Sequence, residues 1–125
     1  MADETVTIHL EHAVGAPRQA RRFVVSTLAE WGLTHVSDDV ALLVSELVSN
    51  VVRHTDVGAT MRLTRAPGHL RCSVIDAGGE LPHPRHPSPT DQSGRGLLLV
   101  ETIASSWGSM ATAGRTEVWF EIPLH

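Results

Sequence analysis

Hydrophobic and polar positions alternate in TVTIHLE (Thr5–Glu11), where Val6, Ile8 and Leu10 share one side, the period-two pattern of a half-buried strand. The period then lengthens. In GAPRQARRFVVSTLAEWG, Phe23, Val24, Leu28 and Trp31 form a helical stripe, Pro17 suits a first turn, and Gly32 is placed to stop the helix. Ser37 is the expected N-cap of a second helix, with Asp38 and Asp39 favoured in its first turn by the helix dipole. That helix runs to about His54 on an apolar stripe of Val44, Leu47, Val48 and Val51. Met61 and Leu63 alternate, Ala66-Pro67-Gly68 makes a turn, and Leu70, Cys72 and Val74 alternate back, which predicts a hairpin.

Residues 78–96 (GGELPHPRHPSPTDQSGRG) have no apolar period and are rich in proline and glycine. A loop this long inside a compact domain is usually a lid or a binding loop, here spanning about 77–95. LLLVETIASSW predicts a third helix. GSMATAG and RTEVWFEIPL predict a closing hairpin with Val118, Phe120 and Ile122 inward. The expected fold class is α/β (α+β): a two-layer sandwich with a mostly antiparallel sheet covered by helices on one face. No linker or repeat divides residues 1–125, which read as a single domain.

The stretch SELVSNVVRH carries the first candidate chemistry. Glu46, Asn50 and His54 lie four residues apart and so stack on one helix face, beside the apolar stripe. Polar groups at the edge of a core need partners. Asn50 offers a carbonyl oxygen to a hard cation such as Mg2+, which keeps waters and phosphate oxygens as its other ligands. Glu46, one turn back, is placed to accept a proton from a hydroxyl or water attacking a phosphate. The plainer alternative is that both hydrogen-bond loop backbone. His54 suits the helix C-terminus through the dipole.

Two further elements follow. The strand VIDAGG runs into Asp76, with Gly78 after one residue. A strand-end carboxylate can accept a hydrogen bond from an exocyclic amine such as adenine's, and glycine allows a flat ring close to the backbone. An Asp-Gly turn is the alternative. In SGRGLLLVE, Gly94 and Gly96 precede an apolar helix whose free amides could face an anion, and Arg95 could add a charge-assisted contact to a phosphate oxygen.

Composition narrows the classes. Of 125 residues, 42% are hydrophobic, enough for one packed interior. A formal net charge of −4 argues against direct nucleic-acid binding, which leaves a basic footprint. The lone Cys72 excludes an intrachain disulfide framework. No stretch approaches the length of a membrane span and the N-terminus lacks an apolar signal-like run, so a cytoplasmic protein without membrane contact is expected. His83 and His86 stand three apart in the lid, but no cysteine or carboxylate cluster completes a transition-metal set.

The ordered combination E-x-x-x-N on a helix, D-x-G after a strand, then G-x-G before a helix resembles the Bergerat-fold (GHKL) ATPases, the superfamily of gyrase B, MutL and the histidine-kinase catalytic domains. Within it, the chain is most similar to the small bacterial anti-sigma-factor serine/threonine kinases. The resemblance implies a two-layer sandwich with a mixed sheet. It matches Glu46 to the catalytic glutamate, Asn50 to the Mg2+-binding asparagine and Asp76, with Gly78 beside it, to the adenine-reading aspartate. Gly94, Arg95 and Gly96 match the second glycine box. ATP and Mg2+ are the implied cofactors, and a STAS-type anti-anti-sigma factor, a sigma factor, or both are the implied partners. Relatives often form dimers, which points to a homodimer through the first strand and first helix. Two positions depart from the pattern: Glu80 stands where the first box often has glycine, and Leu97 and Leu98 follow the second box directly.

Overall fold

The computed structural model describes residues 3–11, 15–53, 58–76, 104–112 and 115–124. Its elements are β1 (Glu4–Leu10), α1 (Ala16–Glu30), a 3₁₀ turn (Thr34–Val36), α2 (Ser37–Arg53), β2 (Ala59–Ala66), β3 (His69–Asp76), β4 (Ser106–Thr112) and β5 (Arg115–Pro123). The strands form one five-stranded sheet in the order β1-β2-β3-β5-β4. Every pairing between described strands is antiparallel. The parallel pair implied by a mixed sheet does not occur among the described residues.

Alternation decides which face each strand buries. Leu10, Met61, Leu63, Leu70, Cys72, Val74, Val118, Phe120 and Ile122 all point into one core with the inner stripes of α1 and α2. On α1 that stripe is Ala16, Ala20, Val24, Thr27 and Leu28. On α2 it includes Val40, Leu43, Val44, Leu47 and Val48. The helices pack on each other, α1 reaches β1, and α2 reaches β2 and β3. This is the predicted two-layer arrangement, with the other sheet face carrying Thr5, Thr7, Arg62, Arg71, Trp119 and Glu121 in register.

The ends of α1 follow the residues that predicted them. Pro17 lies in the first turn. At the other end Gly32 takes φ +74°. Its amide donates to the Ala29 carbonyl at 3.2 Å and that of Leu33 to Leu28 at 2.8 Å. Those two bonds form the left-handed glycine stop that satisfies the last carbonyls of a helix. In the first hairpin Gly68, at φ +85°, follows Pro67, so a fixed-φ residue and a left-handed one turn the chain in two residues. Gly58, just before β2, lies against the Leu10 carbonyl so closely that a Cβ could not fit there.

Two boundaries differ from expectation. Ser37 is not an N-cap: its φ of −62° and ψ of −44° are helical, because the 3₁₀ turn from Thr34 leads directly into α2. Its side chain is buried, while Asp38 and Asp39 hold the exposed first turn. The C-terminal end of the predicted third helix is strand instead. Ser106 and Trp107 pair with Glu121 and Phe120, since an edge beside β5 offers Trp107 the apolar face of Phe120. The rest of that predicted helix, residues 97–103, lies outside the described residues.

Candidate functional site

The site begins on α2. Glu46 sits between buried Ser45 and buried Leu47, yet it is half-exposed, so its carboxylate emerges at the margin of the helix layer. Among the described residues, no ion pair and no side-chain hydrogen bond engages it. A carboxylate in that setting keeps its lone pairs for water or for a ligand. Asn50 follows one turn later on the same helix face, at a rise of about 6 Å. Its side chain lies outside the described part of the structure, as do His54 and the segment to residue 57.

Topology brings a second element to the same end of the molecule. Asp76 is the last residue of β3 and pairs with Ala59, the first residue of β2. Ala59 follows the end of α2 after only five residues, 54–58. Fully extended, that connection spans roughly 20 Å at most. The C-terminal end of α2 and the end of β3 are therefore neighbours, and α2 packs directly on β3. The side chain of Asp76 lies outside the described part, and Gly78, Gly94, Arg95, Gly96 and the whole 77–95 lid lie outside the described residues.

The oxygen donors of Glu46 and Asn50 are of the type Mg2+ accepts. The single thiol, Cys72, is fully buried in β3 and burial pushes it up, so it remains a protonated, inert thiol inside the core.

Charge elsewhere is organised differently. On the outer sheet face Arg71 donates to Glu121 at 3.1 Å, and Ser106 donates to the same carboxylate at 3.1 Å. At the other end Arg65 donates to the Trp31 carbonyl at 3.1 Å and pairs with Glu4, tying the end of α1 to the sheet edge. A third basic group, Arg18, Arg21 and Arg22 on α1, was not singled out by the apolar stripe. Its spacing of three and four residues was the available signal.

A family model described as the histidine kinase-like ATPase domain matches residues 10–122. An uncharacterized protein of Streptomyces coelicolor is 43% identical over 70 residues, covering 51% of this chain and 66% of that protein. Among solved structures, the crystal structure of the RsbU and RsbW domains of Rv1364c from Mycobacterium tuberculosis superposes with a TM-score of 0.73 at 27% identity. That match covers 98% of this chain and 33% of the other. The chain thus spans about two thirds of its relative and one third of its structural neighbour.

Proposed function

This chain belongs to the histidine kinase-like ATPase domain family, and on that premise we propose that it is an ATP-dependent protein serine/threonine kinase of the anti-sigma-factor type. Its substrate is a hydroxyl on a STAS-type anti-anti-sigma factor, and the same protein holds a sigma factor in the alternative complex. The likeness to a structure containing an RsbW domain supports this branch of the family.

In this reading Glu46 accepts the proton of the attacking hydroxyl, and Asn50 holds Mg2+ through its amide oxygen. Asp76 accepts a hydrogen bond from the adenine amine, with Gly78 giving the ring room. Gly94, Arg95 and Gly96 meet the phosphates through backbone amides and the guanidinium. Bound Mg2+ supplies neutralisation of the phosphate charge. The protein's share is positioning and electrostatics, the main sources of rate in phosphoryl transfer.

One observation carries the proposal: Glu46 is a half-buried carboxylate with no ion-pair partner among the described residues, one turn before Asn50, inside the family match. The test is transfer of labelled γ-phosphate to a STAS partner, wild type against Glu46→Ala. Loss of transfer in the variant, with ATP still bound, is the expected result. Absence of transfer from the wild type, with the partner firmly bound, would defeat it. That outcome favours a second reading, a nucleotide-binding module that regulates by sequestration. Glu80, where the first glycine box often has glycine, supports this reading, because a carboxylate directed at a polyphosphate would repel it.

A further inference from the structure

We infer that Gly58 is a positioning residue for the nucleotide site: its missing side chain lets the start of β2 lie on the backbone of β1, and that contact sets where Asp76 stands. Gly58 is the residue before β2. A Cβ there would run into the Leu10 carbonyl and come within 3.0 Å of the Glu11 Cα atom. Both are backbone atoms, so no change of rotamer clears the space. Gly32 and Gly68 are glycines for another reason, a left-handed φ with open space around the Cβ position. Gly58 has no such φ. What excludes a side chain there is the close approach of two backbones alone.

The contact stands at the head of a row that crosses three strands. Leu10 of β1 pairs with Ala59 of β2, and Ala59 pairs with Asp76 of β3. Gly58 precedes Ala59 directly, so the spacing between β1 and the start of β2 passes through one ladder pair to the end of β3. Four residues, 54–57, separate Gly58 from the end of α2, the helix that carries Glu46 and Asn50. One end of that connection is fixed by the packing of α2 in the core, the other by the β1 backbone. A methyl group at position 58 has to part the start of β2 from the end of β1. Leu10 is buried in the core and holds β1 in place, so the displacement falls on Ala59 and its partner Asp76. The separation of Asp76 from the Asn50 end of α2 then changes. In a positioned site, a misplacement of about 1 Å costs up to roughly a hundredfold.

This inference rests on the proposed reading in taking Asp76 as the adenine acceptor. The test titrates Mg2+ and ATP into the full chain by calorimetry and follows backbone amide exchange in the same proteins. Gly58→Ala is expected to weaken ATP binding by about tenfold or more. Exchange quickens at the end of the hairpin that holds Ala59 and Asp76, and stays slow at the end that holds Ala66 and His69. Gly108→Ala, crowded against Trp119 on β4, controls for lost stability: it melts lower and keeps its ATP affinity within about twofold. Gly15→Ala, with open space at its Cβ, changes neither. Because Gly58 acts through Asp76, Gly58→Ala added to Asp76→Asn weakens binding by less than about threefold more. Full additivity of the two losses overturns the inference. So does unchanged ATP binding by a folded Gly58→Ala, or an equal loss in Gly108→Ala. Where Gly58→Ala does not fold, Ala59→Gly adds no atom and loosens the same relay. It is expected to weaken ATP binding severalfold, and unchanged affinity there overturns the inference equally. A wild type that binds no ATP defeats the kinase reading, and exchange then decides Gly58 by itself. Faster exchange confined to the Asp76 end upholds its hold on that strand end; a uniform rise along the hairpin overturns it.

Discussion

The Arg71 guanidinium lies 4.0 Å from the centre of the Trp119 indole. The two sit on adjacent strands of the outer sheet face, where Trp119 pairs with Ser73 and Arg71 with Glu121. The ring thus packs under a cation that Glu121 already orients. A guanidinium this close to a tryptophan ring contributes about 0.5–1 kcal/mol at a partly exposed site.

That cluster makes one part of stability depend on pH. Burial pushes the Glu121 carboxyl up, but hydrogen bonds from Arg71 and Ser106 and the nearby charges of His69 and Arg71 outweigh it, leaving it below its usual value. Its folded-state pKa is depressed, so its contribution is complete above the unfolded value and disappears as pH falls through the folded one. Glu121→Gln is expected to lose about 1 kcal/mol or less at pH 7 and to converge with wild type in strong acid. Urea midpoints of both proteins from neutral pH into acid check this. A gap that persists at low pH contradicts it.

Gly108 lies across from Trp119. A Cβ there would come within 2.9 Å of the indole Cζ2 atom. Gly108→Ala must displace the ring from Arg71 and is expected to cost about 1–3 kcal/mol. Loss of thermal stability should accompany a shift in tryptophan emission. A variant with unchanged melting and emission would place the ring elsewhere.

Cys72 is fully buried and its thiol is pushed up by desolvation. Alkylation by iodoacetamide should therefore be slow in the native protein and rise in step with denaturant unfolding. Rapid labelling under native conditions would contradict the packing of β3.

At the candidate site, Asp76→Asn is expected to weaken ATP binding by about ten- to a hundredfold, as a charge-assisted acceptor is removed. Calorimetric titration measures it, and an unchanged dissociation constant reduces Asp76 to a turn residue. Asn50→Ala should abolish the Mg2+ dependence of that binding while leaving the melting temperature nearly unchanged. Equal dependence in both proteins removes Asn50 from the metal.

Much of this architecture was legible because alternation and helical stripes report burial directly. Leu70, Cys72 and Val74 point inward as their spacing required, and Gly32 ends α1 where a left-handed residue was needed. Ser37 was misread because a cap is defined by backbone dihedrals, and the preceding 3₁₀ turn already supplied helical ones. Trp107 was read into a helix because its local sequence carries no sign of Phe120, its partner across the sheet. The helical spacing of Glu46 and Asn50 was legible too, and α2 runs through both. The pocket beside Arg18, Arg21 and Arg22 was not, because it meets Ala41 of α2, a contact that the spacing along α1 does not report.

Strand β3 has a neighbour on each side, β2 along its whole length and β5 from His69 to Ile75. Two ladders clamp its register, and a slip of one residue would turn Leu70, Cys72 and Val74 out of the core. Asp76 is the tip of that clamped rod, paired with Ala59 by the sheet itself. An insertion or deletion within β3 would therefore unseat core side chains and shift Asp76 along the sheet in one event, so the placement of that strand end and the stability of the sheet rise and fall together.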